Sequence, residues 1–150
     1  MPINYKLLKR IQKAIAKEPR RLEMANGIKI KDRIAPCGTT ACIADHAVIY
    51  SRSNYPRKGF KGIGTKIVVD DSKDKSWFED LNEADWVPIR NEAIRVLRLG
   101  DLSDSSDRLF FVDHWPDDFN TQYHQAKTRK TRAKVAIARI QRFIDTKGRE

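Results

Sequence analysis

Apolar residues recur every three or four positions in three stretches of this chain, the mark of helices with one buried face. Near the start, Leu8, Ile11 and Ile15 fall on one side, while Lys6, Lys9, Arg10, Lys13 and Lys17 fall mostly elsewhere. Asn4 can cap this helix, and Pro19 predicts its end at Glu18, because proline disfavours helical backbone in the residue before it. Ile89, Ala93, Ile94 and Leu97 make a second stripe, with Asp85 as cap, Pro88 in the first turn and Gly100 at the end. Ala133, Ala136, Ile137, Ile140 and Ile144 make a third, capped by Thr128 and reaching about Asp145.

Shorter elements fill the gaps. Thr39 or Thr40 can cap a helix running to about Tyr50, with Ala41, Ala44 and Ala47 allowing close approach of a neighbour. Ser103 can cap a short helix carrying Leu109, Phe110 and Val112, which Pro116 ends. "IKIKDRI" (28–34) alternates apolar and charged residues, and "TKIVVDD" (65–71) suits a strand, so residues 28–34 and 65–70 can pair as a ribbon. The sum is a mainly α fold: a compact helical bundle of four to six helices with at most a small two-stranded β element. A chain of 150 residues with 40% apolar content is enough for one domain, 1–150, with an ordered core at about 3–145.

Charge changes this picture. Residues 1–34 carry ten Lys or Arg against three acids, residues 35–66 five against one, and residues 123–150 nine against two. Residues 67–122 reverse the sign, with six bases and fourteen acids. The last predicted helix presents Lys127, Arg129, Lys130, Arg132, Lys134, Arg139 and Arg142 with no acid among them, and the first presents Lys9, Arg10 and Lys13. Folded onto one face, these cations would bind an anionic partner, nucleic acid or an acidic protein surface, through sequence-independent contacts that weaken with salt. Folded beside the acidic middle, they would instead neutralise it. No recognition-helix or base-stacking motif accompanies them. No run approaches the ~18 apolar residues of a membrane span, so no membrane partner is expected. The basic start lacks the apolar run of a secretory signal, and two cysteines without one lead us to expect a reducing, cytoplasmic setting.

Both cysteines fall in "PCGTTACIADHAV" (36–48), which admits three readings. Cys37, Cys42 and His46 could hold zinc, with His114, His124 or Asp113 as fourth ligand. Cys37 or Cys42, near a helix N-terminus, could act as a nucleophile with His114 as base and Asp113 or Asp117 orienting it, as in a cysteine-dependent hydrolase. The third reading, which the alanine-rich surroundings favour, is that Cys42 is core packing and His46 a boundary side chain bonded to a nearby carbonyl or water. In "VDHWPDDF" (112–119), Trp115 and Phe119 are expected to plug the core while the aspartates face water. "DDSKDKSWFED" (70–80) lacks the glycine and glutamate of a calcium loop, and Gly59, Gly62 and Gly64 miss the spacing of phosphate-binding loops.

The stretches "CGTTACIADHAV", "LFFVDHWPDDF" and "RAKVAIARIQRFI" resemble a family of small, uncharacterised bacterial and phage proteins. In that pattern a Cys-Gly-Thr-x-x-Cys-Ile-Ala-Gly stretch precedes a Leu-Phe…Trp-Pro segment and an alanine-rich last helix. Asp45 stands here where the pattern has glycine. The resemblance spans most of residues 3–145; it implies one domain and carries no activity. The expected function is a non-catalytic interaction or regulatory protein, of phage or mobile-element type, that binds an anionic partner through its basic terminal helices and uses no cofactor.

Overall fold

A computed structural model describes residues 2–22, 24, 42–51, 60–63, 66–69, 86–100 and 103–150. The fold is mainly helical. In chain order the described elements are α1 (Tyr5–Lys17), α2 (Ile43–Tyr50), β1 (Phe60–Ile63), β2 (Lys66–Val69), β3 (Trp86–Pro88), α3 (Ile89–Leu97), α4 (Ser103–Phe110), α5 (Asp117–Gln125) and α6 (Arg129–Asp145). Two 3-10 turns, Pro19–Arg21 and Val112–His114, follow α1 and α4. No helix among the described residues is long and apolar enough to cross a membrane.

The first helix forms where its caps and its stripe agree. Asn4 Oδ1 accepts from the Leu7 N–H at 3.1 Å, meeting one of the donors a helix start leaves unpaired. The same residue ties α1 to the end of α3: its Nδ2 donates to the Val96 carbonyl and its backbone N–H to that of Leu97. Leu8, Ile11 and Ile15 are fully buried, as their spacing predicts. At the other end of the chain, Thr128 caps α6 by accepting from the Thr131 N–H at 3.1 Å, and the helix runs to Asp145.

These two helices pack against each other, and their polar contacts fix the direction. Lys9 Nζ donates to Gln141 Oε1 at 2.5 Å, and Gln12 Nε2 donates to the Ile137 carbonyl at 3.0 Å. Arg129 Nη1 reaches back to the Arg20 carbonyl at 3.1 Å. Rising numbers on α1 meet falling numbers on α6, so the pair is antiparallel. One cluster of buried apolar residues draws on all six helices, from Leu8 and Ile11 through Ile43, Leu97, Leu109 and Phe119 to Ile140 and Phe143. Further contacts pack α2 on α3 and on α1, and α6 on α4 and α5.

Several expectations need correcting. The α2 helix begins at Ile43 with Cys42 as its N-cap, rather than at a threonine cap near 39 or 40. Asp45 causes this shift: its carboxylate turns back to accept the Cys42 N–H at 2.9 Å, the N3 arm of a capping box. Pro88 closes strand β3 and the next helix starts one residue later, at Ile89. That helix ends at Leu97, before Gly100, because Arg98 takes the left-handed conformation (φ 59°) and the Leu99 N–H bonds back to the Ile94 carbonyl. The β element has three strands, β1-β2-β3, all antiparallel. With β2 between two neighbours, Phe60 opposite Val69 and Lys66 opposite Pro88, the expected pairing of 65–70 with 28–34 is replaced. Residues 28–34 lie outside the described residues, as does Asp85.

Helix α5 leaves only a weak signature in the sequence. Its signals are Pro116 before it and Asp117 and Asp118 in the first turn, where carboxylates suit the helix dipole. Only Phe119 anchors it as a buried residue, so its apolar period is faint. Trp115 and Phe119 are buried and Asp113, Asp117 and Asp118 exposed, as expected, and Trp115 Nε1 donates to the Leu109 carbonyl at 3.0 Å.

The α6 helix closes with Gly148 at φ 78° and its N–H on the Phe143 carbonyl at 2.8 Å. A Cβ there would lie 3.0 Å from Ile3 Cδ1 and 3.2 Å from Phe143 Cζ. Gly148→Ala should therefore cost about 1–2 kcal/mol from the left-handed backbone alone, read as a lower urea midpoint at unchanged slope.

Candidate functional site

The antiparallel register decides what the basic helices offer to solvent. Lys9 sits beside Gln141 and Gln12 beside Ile137; one turn further along, Lys13 and Lys17 advance toward Lys134 and Lys130. On α6 the positions 130, 134, 137 and 141 lie on one face, spaced by three or four residues. Lys9, Lys13, Lys17, Lys127, Lys130 and Lys134 are all exposed. No acid lies within α1 or in the first turn of α6. Exposed lysines thus stand on both of the helices that pack along the α1–α6 seam. Glu18, next after α1, pairs with Arg20 at 3.4 Å, and Asp145 at the end of α6 accepts from Gln141 Nε2 at 2.8 Å.

Not every predicted cation joins this face. Arg10 lies over the Tyr50 ring at 5.9 Å, leaning toward α2. Arg132 is half-buried and donates from Nε to the Ala126 carbonyl at 3.2 Å, closing the loop before α6. Arg129 is exposed but spends one N–H on the Arg20 carbonyl. Arg139 must be removed from the solvent face altogether. It is fully buried, because it follows Val135 and Ala136 by one turn and so falls on the core side of α6. Its charge marks it as a surface residue; its helical phase decides otherwise.

The sulfur site looks different from its sequence spacing. Cys42 is half-buried and packs against the core. Burial, and next the adjoining Asp45 carboxylate, push its thiol well above the ordinary value, so at neutral pH it stays protonated. His46 is buried, and its Nδ1 donates to the Cys42 carbonyl at 2.8 Å, while its ring stacks on Tyr50 at 5.9 Å and 17°. The imidazole thus addresses the backbone of Cys42 through Nδ1. His114 is exposed on the 3-10 turn that packs on α4 and α5, and its ring faces Phe111. Asp113 pairs with His124 at 3.6 Å instead of orienting His114. No group of three or more His, Cys, Asp or Glu among the described residues could hold a metal. Cys37 lies outside the described residues.

Asp45 is the residue sequence reasoning undervalued. It is 1% exposed, and its Oδ1 is buried with no hydrogen-bond partner among the described residues. Burial raises its carboxyl from 3.8 to about 6, partly offset by the Cys42 hydrogen bonds. Its position three residues after the cap was the available signal. The chain matches no protein-family model, no curated protein and no solved structure, so no relative assigns a role to any of these residues.

Two outcomes are expected. Between pH 3.8 and about 6 the folded protein holds a proton on Asp45 that the unfolded chain has released, so stability falls as pH rises through this window. The loss from this group should reach about 3 kcal/mol by neutral pH, and Asp45→Asn should flatten it, as urea unfolding at pH 4 and pH 7 will show. In a Cys37→Ser background, Cys42 should resist alkylation at pH 7 until the protein unfolds; labelling as fast as free cysteine would contradict its raised thiol.

Proposed function

We propose that the protein is a non-catalytic binding module whose α1–α6 face engages a nucleic-acid phosphate backbone. The observation that supports this reading is the antiparallel seam, which packs the two basic helices together while Lys9, Lys13, Lys17, Lys130 and Lys134 stay exposed. Lysines one helical turn apart, about 5.4 Å, suit a line of closely spaced phosphates better than isolated carboxylates. Flexible ammonium groups act there as point charges, favouring affinity without base readout. Two acids of the middle segment are engaged elsewhere: Asp107 bridges to Arg90 at 2.6 Å and Glu92 to Arg95 at 2.5 Å. A role in a bacterial or phage setting, which the family resemblance implies, accords with such a module.

Binding to a mixed-sequence duplex should weaken log-linearly with salt. The triple variant Lys13→Gln, Lys130→Gln, Lys134→Gln should lower affinity at least tenfold and flatten the salt slope by about one unit for each phosphate the protein no longer neutralises. A duplex affinity and slope unchanged by that substitution would reject this face. Binding to acidic protein but to no duplex at any salt would reject the nucleic-acid partner.

A further inference from the structure

The buried end of α6 holds a second, separate concentration of positive charge. Arg139 is fully buried, and its Nη2 donates to the Arg108 carbonyl of α4 at 2.9 Å. Its Nε and Nη1, and the Nε of Arg108, are buried with no hydrogen-bond partner among the described residues. The guanidinium of Arg139 lies 5.9 Å from the rings of both Phe119 and Phe143, which stabilise a cation over their faces but leave its in-plane N–H groups unmet. Arg142 approaches from the same helix, 5.3 Å over Phe119. The acids at hand pair with that outer arginine, Arg142 meeting Asp118 at 4.0 Å and Glu150 at 3.1 Å, and reach Arg139 only through space, where they offset part of its burial cost.

The energetic position of this cluster is unusual. Burial, then the charges of Arg108 and Arg142, push Arg139 down to about 10, so it remains a cation at neutral pH. A buried charge without a partner is costly, and so is each buried donor left unmet. Three unmet donors on two adjoining guanidinium groups define what would relieve both costs: one compact anion with several acceptor oxygens. A tetrahedral oxyanion has that charge and that geometry, and the planar guanidinium fork is the side chain best matched to it.

We propose that Arg108 and Arg139 form an internal site for one phosphate-class oxyanion, closed over by the C-terminal turn 146–150. That turn lies directly on Arg108, whose carbonyl holds Arg139. The Gly148 carbonyl accepts from Ser105 Oγ at 2.7 Å and from Arg108 Nη2 at 3.3 Å, and Glu150 holds Arg142 at the rim. The unmet nitrogens have essentially no solvent contact, so entry requires this turn to lift, breaking the two bonds to Gly148. The site is distinct from the lysine-bordered seam and does not depend on it.

The test is a titration of the full chain with inorganic phosphate against chloride at matched ionic strength, following the arginine Nε–H signals by NMR. The Arg139 and Arg108 signals should shift saturably with phosphate and not with chloride. Phosphate at ten times its dissociation constant should raise the melting temperature by about 4 °C. Arg139→Met should abolish the saturable shift at Arg108, while Lys130→Gln with Lys134→Gln should leave it intact. Absence of saturation in the native protein overturns the proposal, and so does equal saturation in Arg139→Met or its loss in the double lysine variant. Should Arg139→Met fail to fold, the native arginine signals and the lysine variant decide alone.

Discussion

The seam between α1 and α6 is the constraint on which the rest of the molecule depends. It brings together residues more than a hundred positions apart, burying Leu8, Ile11 and Ile15 from one helix in the same core as Ala136, Ile140 and Phe143 from the other. Apolar burial drives that contact without direction; the Gln12 bond to the Ile137 carbonyl and the Lys9 bond to Gln141 select the antiparallel register. Gln12 is itself buried, so its amide needs those partners, and a shifted register would leave it without them. Asn4 then couples the seam to α3, and the Arg90 bridge to Asp107 and Ser106 joins α3 to α4.

The charge layout follows from this packing. Two cationic helices side by side repel each other, and that repulsion is tolerable because the lysine heads extend into water while their stems border the seam. The structure keeps this solvated charge apart from the buried arginines of α4 and α6, whose energetics are governed by desolvation and by one another.

Buried ionisable groups mark where the fold accepts cost. Asp45 caps α2 through one carboxylate oxygen and leaves the other unmet, which ties helix initiation to the protonation of a single residue. The consequence spreads to its neighbours: burial, with the nearby carboxylate adding to it, keeps the Cys42 thiol neutral, and the Cys42 carbonyl meets His46 Nδ1. A stretch whose residue types suggested sulfur or metal chemistry is organised around a carboxylate instead.

The mainly helical fold, the first and last helices and their caps were legible in the sequence, because local rules act within a few residues: Asn4 and Thr128 can each reach their own helix start, and strong stripes persist over several turns. The start of α2, the extent of α3 and the faint helix α5 were not, since the Asp45 cap, the left-handed Arg98 and the single anchor Phe119 leave weak periodic signals. By itself the sequence determined that the fold is mainly helical, where the first and last helices run, and which segments are basic. Only the tertiary structure decided that α1 and α6 share a face, that Arg139 belongs inside rather than on it, and that Asp113 meets His124 instead of orienting His114. Those outcomes depend on contacts between distant segments, where burial and register, not residue type, set what a side chain can reach.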